Sequence, residues 1–121
     1  MRITLTLVIL ASCIQSSFAL DWPQWRGPDR SGVSSETGLL QSWPSGGPKL
    51  LWEGGAVGEG FSSLAVTGGM IFTMGDKSGK SYLYCLDGKG GATRWSVVVG
   101  KSGGNYSGTR CTPSLMVNTP L

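Results

Sequence analysis

Histidine is absent from all 121 residues. Ser-His-Asp and Cys-His nucleophilic arrangements, and the usual zinc ligand sets, therefore cannot be assembled from this chain. Charge is sparse, with 10 Lys or Arg against 7 Asp or Glu. The cations are scattered, and no basic run interleaves with aromatics as a phosphate-tracking groove requires, so nucleic acid is not an expected partner. Long hydrophobic runs are lacking too. The apolar stretch from Ile3 to Leu10 is too short to span a bilayer, so no transmembrane segment is expected.

What the first residues do supply is an export pattern. Met1-Arg2 is cationic, Ile3 to Leu10 is a short hydrophobic core, and Ser17 and Ala19 are small residues at cleavage positions. This predicts a secretory signal over residues 1–19 and a periplasmic or secreted product. A second reading takes Leu10-Ala11-Ser12-Cys13 as similar to a lipobox, with Cys13 lipidated. It ranks lower because the segment before it is short. Cleavage after Ala19 leaves Cys85 and Cys111, which an oxidising compartment would allow to pair. The favoured reading makes Cys85 a buried core thiol instead.

All twenty glycines lie beyond residue 19, as expected of short strands joined by tight turns. Four strands are expected, at Ser63 to Thr67, Met70 to Met74, Tyr82 to Leu86 and Thr93 to Val99. Gly68-Gly69, Asp76 to Lys80 and Asp87 to Gly91 turn between them, giving an all-β, up-and-down antiparallel meander. The last hairpin, Cys85 to Trp95, organises the chain. Asp87 can accept turn N–H groups, Gly90 and Gly91 relieve the backbone, and Trp95 offers a large apolar face to a neighbouring sheet.

This hairpin resembles the tryptophan-docking repeat of PQQ-type β-propellers. The repeat runs small residue, any, Asp, two of any kind, Thr-Gly, three of any kind, Trp. Cys85, Asp87, Gly91 and Trp95 fall on the pattern, and Gly90 stands where threonine is usual. The family includes quinoprotein alcohol dehydrogenases, which hold pyrroloquinoline quinone and calcium, and non-enzymatic relatives such as the lipoprotein subunit of the outer-membrane β-barrel assembly machinery. The resemblance implies a propeller and leaves the two kinds of function open.

Asp21 to Ser34 contains Trp22 and Trp25 among prolines, which excludes an ordinary helix and predicts an extended arm over residues 20–48 anchored by those tryptophans. Asp21 to Ser34, continued by Gly38 to Pro44 and Gly47 to Trp52, resembles the opening of exported PQQ-like repeat proteins. Trp52 and Trp95 stand 43 positions apart, a propeller blade length. Residues 49–121 are accordingly expected to begin a propeller: Leu50 to Glu53 as the closing strand of the ring's last blade, one four-stranded blade, and Cys111 to Val117 as the first strand of the next. Trp52 would close the ring, Asp87 and Gly91 shape the hairpin, and Trp95 dock the blade.

A ring needs about four to eight blades, so the remaining blades of its own propeller are the first partner expected, and the chain is expected to be the N-terminal part of a longer protein. No residue is assigned to catalysis, cofactor or metal. Asp76 and Asp87 are the carboxylates to consider, and both are expected in turns. The favoured function is a non-catalytic scaffold or protein-interaction module that meets a protein partner through face loops such as Lys101 to Thr109. The alternatives are a quinone- and calcium-dependent dehydrogenase of alcohols or sugars, and a truncated remnant without function.

Overall fold

The computed structural model describes residues 20–105 and 107–116. The expected export signal, Cys13, Tyr106 and residues 117–121 lie outside that range. Among the described residues there is no helix. One antiparallel sheet carries the fold, with four strands in the order β1-β2-β3-β4: β1 Ala65–Thr67, β2 Met70–Lys77, β3 Lys80–Asp87 and β4 Thr93–Lys101. The meander and the glycine-pair turn follow the sequence reading. The strand limits do not.

β1 is shorter than expected because hydroxyls take over its ladder. Met74 donates its N–H to Ser62 Oγ at 3.2 Å, and Thr73 Oγ1 donates to the Ser63 carbonyl at 3.4 Å. The chain still follows β2, since Glu59 and Asp76 exchange backbone bonds at 2.7 and 2.9 Å. β2 and β3 are longer than expected because Lys77 pairs directly with Lys80. Ser78 and Gly79 turn between them with φ of 52° and 74°, the two positive angles of a tight type I′ hairpin. Asp76 is therefore not a turn residue. It lies in β2 opposite Ser81, whose hydroxyl donates to Asp76 Oδ1 at 2.6 Å. Leu50 to Glu53 lies outside the four strands.

Side chains alternate between the two faces of a sheet. The register sets Ala65, Phe72, Cys85 and Trp95 in one cross-strand row. Ala65, Phe72 and Cys85 form the buried core, with Met70 and Leu115 packed against it. Val66, Ile71 and Leu86 make the matching row on the other face. Cys85 is a buried free thiol and Cys111 an exposed one, so the two are not paired.

The N-terminal arm is held to this sheet. Trp22 and Val66 exchange backbone hydrogen bonds at 2.7 and 2.8 Å, and the Leu115 N–H donates to the Pro23 carbonyl at 2.8 Å. Asp21 accepts Thr67 Oγ1 at 2.5 Å and the Gly68 N–H at 3.1 Å, fixing the first turn. The arm thus fills the space between β1 and the chain around Leu115.

Candidate functional site

Two places gather the residues singled out by the sequence: the turn before β4, and a groove at the far end of the sheet.

At the turn, the Asp87 N–H donates to the Ala92 carbonyl and the Gly91 N–H to the Asp87 carbonyl, each at 2.8 Å. The Asp87 carboxylate takes the Lys89 N–H on Oδ1 at 2.8 Å and Arg94 Nη2 on Oδ2 at 2.6 Å. A β-bulge brings Arg94 there. Cys85 pairs with Trp95 and Leu86 with Thr93, so Arg94 has no partner residue in β3; an extra residue of this kind re-aims its side chain. The Arg94 guanidinium, and after it the Lys89 N–H, hold the Asp87 carboxyl below its usual range, because both stabilise the anion. Asp87 thus builds the turn, as its place in the sequence pattern suggests.

Gly91 has φ of 70° and a tryptophan over it. A Cβ at this position would stand 2.5 Å from Trp52 Cζ3, so only glycine admits both the left-handed backbone and the ring above it. Gly90 is not among the residues with positive φ. Of the two glycines, Gly91 carries the conformational demand.

The other tryptophans differ in their surroundings. Trp22 lies across buried Gly27, where a Cβ would come within 2.7 Å of the indole, and its Nε1–H reaches the Trp25 carbonyl at 3.4 Å. Trp25 itself is 67% exposed, with the Arg26 guanidinium 6.0 Å from its ring. Trp95 meets Phe72 at 6.0 Å with planes tilted by 60°, within the centroid range at which aromatic pairs attract. It nevertheless remains 45% exposed.

The groove lies at the opposite end of β2 and β3. It has a volume of about 590 Å³, and its walls include Glu59, Asp76, the Ser78-Gly79 turn and the loop after Lys101. That loop is pinned at its start, where the Ser102 N–H donates to the Gly79 carbonyl at 3.1 Å, and at its end, where the Thr109 carbonyl accepts the Phe61 N–H at 2.7 Å. Glu59 and Asp76 are its carboxylates. Asp76 Oδ1 accepts the Ser81 hydroxyl, and no group of three or more His, Cys, Asp or Glu comes together among the described residues.

No protein-family model, curated protein or solved structure matches the chain. Sequence reasoning singled out Asp87 and Gly91, which the structure places together in the turn before β4, but it did not single out Asp21, Gly27, Arg94 or the Ser62 hydroxyl. For Arg94 the bulge was the missing information. Gly27 had one usable signal, a glycine five residues after a tryptophan in a turn-rich arm.

Proposed function

We propose that the chain belongs to an exported, PQQ-like β-propeller protein in which the four-stranded sheet is one blade, and that it acts as a non-catalytic scaffold or protein-interaction module. The observation that carries this reading is the seat of Trp52 on Gly91. Trp95 follows Trp52 by 43 residues and stands at the end of the hairpin that Gly91 shapes. Repeating the same contact one blade on would lay Trp95 over the next blade's turn, covering its exposed side. A parallel bridge between Gly60 and Thr109 supports the same arrangement. Rotation about a common axis preserves chain direction, so corresponding inner segments of neighbouring blades must run parallel.

The scaffold reading is supported by the tasks the singled-out residues already perform. Trp52 and Trp22 cover glycines, and Asp87 holds a turn and an arginine. The loop from Lys101 to Thr109 is then the interaction surface at the ring's face. Replacing residues 103–107 by a glycine-serine run of equal length leaves the pinned ends in place. The expected outcome is loss of a co-purifying protein partner with an unchanged circular dichroism spectrum. Retention of every partner would remove the loop as the site. Stoichiometric uptake of pyrroloquinoline quinone with calcium-dependent dye reduction would replace the scaffold by the dehydrogenase reading.

A further inference from the structure

We propose that removal of the export signal after Ala19 seats the new α-ammonium of Leu20 on the Glu36 carboxylate, so that processing itself tightens the N-terminal arm on β1. This rests on the export part of the reading above and not on the blade. The Leu20 nitrogen already stands at the seat, donating its N–H to Glu36 Oε1 at 3.1 Å.

Local turns bring Glu36 back to the start of the arm. The Arg30 N–H donates to the Gly27 carbonyl at 3.2 Å and the Gly32 N–H to the Arg26 carbonyl at 2.9 Å. The Val33 N–H then donates to Ser31 Oγ and the Glu36 N–H to Ser34 Oγ, each at 3.2 Å, two serine turns in succession. Leu20 and Glu36 thereby share a hollow of about 220 Å³ whose other charged walls are Asp21 and Asp29. Among the described residues no Lys or Arg lines it, so the hollow favours a cation.

Cleavage supplies that cation. Hydrolysis by a signal endopeptidase breaks the Ala19–Leu20 C–N bond; water gives its oxygen to the departing Ala19 carboxylate and both hydrogens to the Leu20 nitrogen, which becomes an ammonium at neutral pH. An amide-to-carboxylate hydrogen bond is replaced by an ion pair. Leu20 precedes the two residues that tie the arm to β1: Asp21, which accepts Thr67 Oγ1 and the Gly68 N–H, and Trp22, which exchanges backbone bonds with Val66. Holding Leu20 at Glu36 keeps both at the sheet. Leu20 is 53% exposed, so the gain is modest and sensitive to salt.

The test uses the protein recovered from its own cell, its first residue read by mass spectrometry of the N-terminal peptide. The pH dependence of α-amine acetylation is then followed on that peptide at low salt. Leu20 is expected first, with an amine that titrates above the ordinary α-amino value. Glu36→Gln is expected to lower the amine's proton affinity about 1.5- to 5-fold, Glu36→Asp by less, and high salt to remove most of the difference. Amide exchange at Trp22 and Val66, across the seam of arm and β1, should quicken by a similar factor in Glu36→Gln while β2 and β3 keep theirs. Any other first residue, a lipidated Cys13 included, would overturn the processing reading and the seat together. Leu20 first, with the same titration in Glu36→Gln as in the unaltered protein, would overturn the seat and leave the export reading standing.

Discussion

β3 and β4 are neighbours of nearly equal length, both rich in aromatic and aliphatic residues, yet their fates differ. In β3, Tyr84, Cys85 and Leu86 are buried, whereas every residue of β4 is exposed. The contrast is sharpest at one cross-strand pair, since Cys85 is fully buried and its partner Trp95 is 45% exposed. Composition does not explain this. β3 has a strand on each side, while among the described residues β4 has one strand neighbour and Trp95 meets the tilted Phe72 ring. A strand pattern establishes that a segment will pair; only the surrounding elements decide whether its apolar face is covered.

The largest expected effect lies on the buried side. Phe72→Ala removes the ring that packs on Ala65 and Cys85, and should cost about 3 to 5 kcal/mol in urea unfolding. A loss below about 1 kcal/mol would mean that the interior strands are no better packed than β4.

Next comes the turn that joins them. Gly91→Ala should cost about 2 to 3 kcal/mol, combining left-handed strain with displacement of Trp52. In a Trp52→Ala background the same change should cost only about 1 to 2 kcal/mol, the backbone part alone. Equal costs in both backgrounds would show that the indole does not rest on this glycine in solution.

Trp95→Ala measures the contrast directly. With the side chain half exposed, the loss should be about 2 kcal/mol. Coverage of its open face by another blade would raise the loss to about 3 to 5 kcal/mol.

The smallest effect is that of Asp87. Its carboxyl is held below the ordinary value of 3.8 by Arg94 and the Lys89 N–H, so it binds a proton more readily in the unfolded chain than in the folded one. Its contribution is therefore fully present above about pH 4 and is lost as pH falls through the lower folded value. Urea midpoints measured from pH 5 down to pH 2 should fall less steeply for Asp87→Asn than for the unaltered protein. The difference should be small, since the pair is open to solvent. Identical slopes would remove Asp87 from the acid response.

Much of this sheet was legible in the sequence. Gly68-Gly69 marked the first turn, the turn residues on either side marked the segments that form β2 and β3, and Cys85 in a small-residue position pointed to the core. The places where sequence reasoning stopped share one cause: a partner distant along the chain. β1 appeared longer because nothing local shows that Ser62 Oγ replaces a backbone carbonyl for Met74. Asp76 looked like a turn residue until the Lys77–Lys80 pairing set the turn at two residues. The contact of Trp52 with Gly91 spans 39 positions, and only the folded chain reveals it. Trp22 and Trp25 looked equivalent, but only Trp22 has a glycine beneath it.

The central claim is that the exposed side of Trp95 is the seat of another blade. Hydroxyl-radical labelling of the protein isolated from its own cell, read by mass spectrometry at each tryptophan, tests it most directly. The account predicts that Trp95 labels as slowly as Trp52 and well below its rate in the urea-unfolded chain. Labelling of Trp95 at the unfolded rate, with Trp52 still protected, would contradict it and leave β4 as the bare edge of an isolated sheet.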